Sequence, residues 1–309
     1  MYVFIINPAA GNGRGEHIVK KFVEEHRSST NAFRTYFTEY PGHAEELAQQ
    51  IATIYHKSIE LLFVVGGDGT MYEVLNGLVD FPKVPLSFIP VGSGNDFARG
   101  CGMPLKPEEN LRETFNQTDL KPYWAGRYIK DFQNERHSHL FASSLGFGFD
   151  AEVADRSNRS RIKKWFNKIH LKSLIYVIGL FFTIFKFQPK TIQLNIDGKE
   201  HTLSNIWMLT ITNHPYFGGG MKIAPNAKIN KKRMYVTIVH KISKLKLLLL
   251  FLTVFFGKHT MLKEVEILEA TKLEIKSKQR LTYHADGYTS YCYQCRVEKE
   301  EIERLVQRK

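Results

Sequence analysis

Residues 61–70 read LLFVVGGDGT: Leu61 to Val65 form an unbroken apolar run, and Gly66, Gly67, Asp68, Gly69 and Thr70 follow at once. Such a run, without polar alternation, suits a strand buried on both faces of a parallel sheet. The glycines end it in a tight turn, and the residues after Thr70 are compatible with a helix. The same succession occurs twice more. Tyr2 to Ile6 runs into NPAAGNGRG, residues 7–15, and Leu86 to Val91 runs into GSGND, residues 92–96. Helical stretches at Ile18 to Glu25, Ala44 to Ile54 and Tyr72 to Leu78 separate the strands, so the first third alternates β and α, as an open, mostly parallel α/β sheet requires.

From about Lys121 the period changes to two. In Thr191 to Asp197 the side chains Ile192, Leu194 and Ile196 face one way, and Asp197-Gly198 reads as a hairpin turn. Similar runs at Met234 to Val239, Val265 to Leu268, Leu273 to Lys276 and Arg280 to His284 predict a β-rich sandwich. The chain thus divides into a nucleotide-binding α/β domain over residues 1–120 and a β-rich substrate domain over 121–296. Glu298 to Val306 reads as a helix, with residues 297–309 returning to the first domain.

At 309 residues, either half can bury its own core. Three cysteines (Cys101, Cys292 and Cys295) give no disulfide framework, and Cys292-Tyr-Gln-Cys295 lacks two further zinc ligands, so reduced structural thiols in a cytoplasmic protein are expected. MYVFII passes directly into Asn7-Pro8, with no visible export signal. Leu174 to Phe185 and Leu247 to Phe256 fall short of the roughly 20 residues that span a bilayer. The net charge of +12 favours a polyanionic partner. Nucleic acid is disfavoured, because no zinc-finger, RRM or KH signature accompanies the charge.

Ligands in open α/β sheets bind beyond the carboxyl ends of the strands, where all three glycine turns fall. Glycine there lets backbone amides approach phosphate oxygens. Asp68 in such a loop would repel a polyphosphate by about 4 kcal/mol at 4 Å and an effective dielectric near 20, so an intervening cation, Mg²⁺, is expected. A carboxylate, a metal and phosphates together point to phosphoryl transfer, with Asp68 placing the metal or accepting the proton of an attacking hydroxyl. No Gly-x-x-x-x-Gly-Lys-Ser/Thr or Gly-x-Gly-x-x-Gly motif is present, so P-loop and dinucleotide readings gain nothing.

With these blocks in order, the chain resembles the diacylglycerol kinase catalytic-domain family, which includes soluble bacterial lipid kinases and the sphingosine and ceramide kinases. The similarity rests on Asn7-Pro8-Ala9-Ala10-Gly11, Thr38-Glu39 with Gly42-His43-Ala44, GGDGT with Glu73 and Asn76-Gly77, Gly92 to Arg99, and Gly148-Phe149-Asp150-Ala151. Asn213, Gly218-Gly219-Gly220-Met221 and Ala224-Pro225-Asn226-Ala227 continue it. The resemblance implies a fold like that of NAD and diacylglycerol kinases, with ATP and Mg²⁺ in a cleft between domains and γ-phosphate transfer to a lipid hydroxyl such as diacylglycerol's. By position it implies nucleotide contacts from Asn7, Pro8, Ala9, Ala10, Gly11, Thr38, Gly66, Gly67, Asp68, Gly69, Thr70, Met71, Tyr72 and Ser93, with Asp68 catalytic and beside the nucleotide's Mg²⁺.

Three positions depart from the pattern. Tyr288 stands where the family places a glutamate proposed as general base, and a phenol with a reference pKa near 10 is a poor base at neutral pH. Asn230-Lys231-Lys232 replaces an Asp-Asp-Gly that helps hold a structural Mg²⁺, so that ion is not expected and the Lys231 ammonium is read as its substitute. Tyr72 replaces a common Asn. Two alternatives stay open: a kinase for a soluble acceptor such as NAD, suggested by GGDGT, and a catalytically degenerate nucleotide- or lipid-binding protein, suggested by Tyr288 and Lys231. Seven Lys or Arg lie between Arg156 and Lys172 and eight between Lys222 and Lys246, with no acid in either segment. Beside the apolar stretches 162–186 and 243–258, they predict peripheral attachment to an anionic membrane surface at its inner face. No signal fixes the oligomeric state, and a homodimer stays open.

Overall fold

In the computed structural model, which describes residues 1–26, 31–131, 138–159 and 183–309, the three apolar runs lie side by side. The first domain runs β1 (Tyr2–Ile6), α1 (Arg14–Glu25), β2 (Phe33–Phe37), α2 (His43–Tyr55), β3 (Leu61–Gly66), α3 (Asp68–Gly77), β4 (Leu86–Pro90), α4 (Asp96–Gly100), α5 (Pro107–Asn116) and β5 (Leu120–Tyr123). Strands β2, β1, β3 and β4 are parallel neighbours in that order. Alternate side chains leave a strand on opposite faces. Val3, Ile5, Leu62 and Val64 therefore pack under α2 and α3, whereas Phe4, Ile6, Phe63 and Val65 pack under α1. Burial on both faces is what the unbroken apolar runs predict.

The second domain contains β6 (Gly126–Lys130), β7 (His139–Phe141), β8 (Ser144–Gly148), α6 (Phe149–Arg159), β9 (Lys190–Ile196), β10 (Lys199–Thr212), β11 (Tyr216–Phe217), β12 (Met221–Lys222), β13 (Met234–His240), β14 (Val265–Ala270), β15 (Lys272–Ala285) and β16 (Tyr288–Lys299). The large antiparallel sheet has the order β14-β13-β10-β8-β15-β16-β6-β7. The long strands β10 and β15 change partner along their length, from β8 to β9, and their pairing shifts register where they do so. The sheet thereby folds over the inward row Ile192, Leu194 and Ile196. Asp197 and Gly198 both have positive φ, 50° and 88°, as the two-residue hairpin between β9 and β10 demands.

The expected helix over Glu298 to Val306 does not form. Residues up to Lys299 complete β16, and β17 (Arg304–Gln307) inserts into the first sheet, parallel to β4 and antiparallel to β5. Glu298, Glu300, Glu301 and Glu303 favour a helix by propensity. The vacant side of β4 outweighs that preference, and Arg304 and Val306 are buried with a period of two.

The Lys244–Thr253 helix starts at Ser243, whose hydroxyl accepts the amide of Lys246 at 3.4 Å. The apolar stretch 162–186 and the basic cluster of residues 156–172 fall largely outside the described residues. Among the described residues no helix is long and apolar enough to cross a membrane.

Candidate active site

The β1, β3 and β4 loops meet at one end of the first sheet. Asn7 donates its backbone amide to Val65 O at 2.9 Å and its side-chain amide to Thr70 Oγ1 at 3.0 Å, tying the first loop to the second. Its Oδ1 accepts the Ala9 amide at 3.0 Å, which shapes the turn over Pro8 and Ala10. Gly92 donates to Gly66 O at 3.1 Å, tying the third loop to the second. A Cβ on Gly92 would lie 2.5 Å from Gly67 Cα, and one on Gly11, at φ 62°, would lie 2.6 Å from Val91 O. Side chains there would force the loops apart. Thr38 donates to Ile6 O at 2.9 Å beside the first loop, and Ser93 is exposed at the tip of the third.

Asp68 bridges two of these loops. It opens α3, but its Oδ1 accepts the amide of Phe97 at 3.0 Å, so it caps α4 rather than its own helix. Two further carboxyls lie within its electrostatic reach. Asp96 accepts the amides of Gly219 and Gly220 at 2.8 and 2.7 Å, reaching from the first domain to the β11–β12 turn of the second. Asp286 accepts the amides of Ala142, Ser143 and Ser144 at 2.5, 2.8 and 2.9 Å. Burial raises the pKa of all three; the charge of Asp68 adds to the other two, bringing Asp96 to about 6 and Asp286 to about 7. Asp68 itself keeps part of its surface open to solvent.

The domains are stitched together around this cluster. Asn76 exchanges hydrogen bonds with the backbone of Leu140 at 3.0 and 2.9 Å. Glu73 accepts the amides of Gly42 and Ala44 at 2.9 and 3.2 Å, fixing the segment after Thr38. An arrangement of three amide-rich loops and a bridging carboxylate, walled by a second domain, is suited to holding a polyphosphate and acting on a hydroxyl beside it.

Residues 1–125 match the model of the diacylglycerol kinase catalytic domain, and residues 143–298 match that of the YegS C-terminal NAD kinase beta sandwich-like domain. The chain belongs to the diacylglycerol kinase catalytic-domain family. It is 33% identical over 288 residues to a Bacillus subtilis protein named as lipid kinase YtlR, covering 93% of this chain and 92% of that one. It is 29% identical over 246 residues to a diacylglycerol kinase of Mycobacterium tuberculosis, covering 80% of this chain and 76% of that one. A crystal structure of a Bacillus anthracis protein shares the fold with a TM-score of 0.77 at 20% identity, covering 100% of this chain and 95% of that one. Family and relatives make the protein a lipid kinase, a phosphotransferase.

Two residues that the diacylglycerol kinase resemblance assigns to the nucleotide have their side chains buried. Met71 is buried in the core of the first domain and Tyr72 in that of the second. The α3 helix turns both inward, since residues three and four beyond Asp68 lie on the face packed against the core. Tyr72 donates to or accepts from Tyr128 Oη at 2.9 Å, and its ring stacks on Tyr288 with centroids 5.3 Å apart. The two tyrosine departures are therefore one structural feature. Asp150 is buried too, accepting Thr210 Oγ1 at 2.9 Å and meeting His284 Nε2 at 3.3 Å.

Tyr288 is 46% exposed and lies next to the Asp286-Gly287 hairpin turn. Tyr288→Phe keeps the stack and removes only the hydroxyl, so transfer activity is expected to stay within about threefold of wild type, against the ~10²-fold or greater loss that follows removal of a general base. A steady-state comparison of the two proteins checks this.

Asp286 has an unfolded-state pKa near 4, so the native protein holds a proton on it between about pH 4 and 7 that the unfolded chain releases. Its contribution to stability is present at the acid end and is lost as pH rises through 7. Asp286→Asn removes that titration. The melting temperature of the variant relative to wild type is expected to rise between about pH 5 and pH 8, a difference that cancels the opposing slopes of His214 and Lys299, whose pKa values burial lowers to about 3 and about 7.

Mg²⁺ takes one or two carboxylates together with substrate phosphates and rarely a full protein cage. Asp68 fits that use: like Asp96 and Asp286 it accepts an amide, that of Phe97, but unlike them it keeps part of its surface open to solvent, where it would meet a nucleotide-borne ion. Among the described residues no cluster of three His, Cys, Asp or Glu side chains could hold a metal by itself. At 230–233 the residues do not fit a structural ion, because Asn230 Oδ1 closes the loop by accepting the amides of Lys232 and Arg233 at 3.0 and 2.6 Å. Lys231 is exposed, and the cation that meets an acid there is Arg233, paired with Glu269. Cys101, Cys292 and Cys295 are free and buried, and burial raises their thiol pKa values.

Proposed function

We propose that this lipid kinase transfers the γ-phosphate of ATP to a lipid hydroxyl, of the kind diacylglycerol carries, at an anionic bilayer surface. The observation that carries the reading is Asp68, fixed between two glycine loops where the two domains meet. In this reading the loop amides hold the phosphates, and Asp68 would help hold a nucleotide-borne Mg²⁺, which would supply positive charge against them. Asp68 accepts the proton of the acceptor hydroxyl as its oxygen forms the new bond to γ-phosphorus; the bond from γ-phosphorus to the β-γ bridging oxygen breaks, and ADP leaves.

Transfer of labelled γ-phosphate into a panel of lipids in mixed micelles, with and without Mg²⁺, tests this. Label in a hydroxyl lipid, lost without Mg²⁺, is expected. Label entering NAD and no lipid would move the acceptor to the soluble class, and ATP binding without any transfer would overturn the reading.

A further inference from the structure

The Lys244–Thr253 helix inverts the pattern of an ordinary surface helix. Leu247, Leu250 and Val254 point inward, into a core shared with Trp207 and Phe217. Its outer face is equally apolar: Leu245, Leu249 and Leu252, spaced by four and three residues, are 71%, 54% and 68% exposed. The short turns that follow put Phe255, Phe256 and Met261 into solvent at 49%, 77% and 84%. Single exposed apolar side chains need no explanation, but six large ones within residues 245–261 form a patch that marks an interaction surface.

The charge around the patch selects the partner. Residues 241–263 contain five lysines and no acid. Glu264, which follows, is taken by Lys246 at 2.6 Å. Lys241, Lys258 and Lys263 are exposed beside the apolar face. A second copy of the chain docking here about a two-fold axis would set lysines against lysines. An anionic bilayer satisfies both parts, taking leucine and phenylalanine below the headgroups and lysine among them. A ten-residue helix, about 15 Å long, cannot span a bilayer and lies in its plane.

The β11–β12 hairpin touches both the active site and the core beneath the patch. The turn amides of Gly219 and Gly220 bind Asp96, while Phe217 and Met221 pack in the core that holds Leu247, Leu250 and Val254. We infer that the outer face of this helix, with the turns to Met261, is the surface on which the protein sits on an anionic bilayer. Its purpose, delivery of a membrane-held acceptor, rests on the lipid kinase reading; the docking itself does not.

Flotation of the full chain with phosphatidylglycerol-rich vesicles and with phosphatidylcholine vesicles tests the inference, alongside transfer to a short-chain diacylglycerol dispersed as monomers. The variants are L245E/L252E/F256E and K241E/K258E/K263E, all at exposed positions, with circular dichroism and melting curves to show that they fold. Wild type is expected to float with the anionic vesicles at low salt and far less at high salt. Each variant is expected to lose binding roughly a hundredfold or more and to keep the wild-type rate on the dispersed acceptor. Variants that fold and float like wild type would overturn the inference, as would a wild-type dimer that the variants dissolve with no flotation. Loss of flotation in variants of a wild type that phosphorylates no dispersed acceptor would support the docking surface while counting against the kinase reading.

Discussion

Asp68→Asn is expected to slow γ-phosphate transfer by about a thousandfold or more, roughly 4 kcal/mol of transition-state stabilisation. The substitution is nearly isosteric. An Asn oxygen can still accept the amide of Phe97, so the start of α4 and the junction of the second and third loops persist. What is lost is a negative oxygen able to take a proton and attract a cation. ATP should bind within a few-fold of wild type, or more tightly in the absence of Mg²⁺, because the mutation removes a charge that repels phosphate. Single-turnover transfer and direct nucleotide binding, measured on the same preparations, separate the two effects. A variant retaining a tenth of the wild-type rate would remove Asp68 from proton transfer.

Arg304→Ala is expected to lower stability by about 3 to 5 kcal/mol, the usual result of deleting one member of a buried ion pair. Arg304 is 1% exposed; its guanidinium donates to both oxygens of Glu300 at 2.9 and 2.7 Å and to Leu78 O at 3.0 Å. Truncation leaves an unpaired carboxylate on Glu300, removes one of the two donors to Leu78 O, which keeps the amide of Phe81 at 3.1 Å, and opens a cavity beneath β17. The melting temperature should fall by around ten degrees. Arg304→Lys should recover only part of this, since an ammonium cannot make the forked contact. Urea melts of the three proteins decide it, and equal midpoints for wild type and Arg304→Ala would show that the pair contributes nothing net.

The first domain was legible in the sequence because its signals are local. Three apolar runs and three glycine turns specify strands and loops without knowledge of anything distant, and the Asp197-Gly198 turn declares a hairpin in the same way. Asp286-Gly287 has that chemistry too, with φ of 47° and 94°. Its carboxylate's role as acceptor for residues 142–144 was hidden, because no spacing relates positions so far apart. Asp96 and its partners Gly219 and Gly220 are hidden for the same reason. The β17 segment misled because its glutamates speak for a helix while its place beside β4 is a tertiary fact. Tyr72 and Tyr288 read separately as two departures, and only their stacked rings show that they answer each other.

The position of β17 also bears on how the protein is made. The sheet carrying the glycine loops receives one of its inner strands from residues that leave the ribosome after the whole β-rich domain. During synthesis β4 therefore waits with an open flank, while the β-rich domain forms in a chain already anchored on one side. Loop convergence and closure of that flank are separated in time, and premature termination anywhere before Arg304 leaves the first domain with an unsealed strand edge.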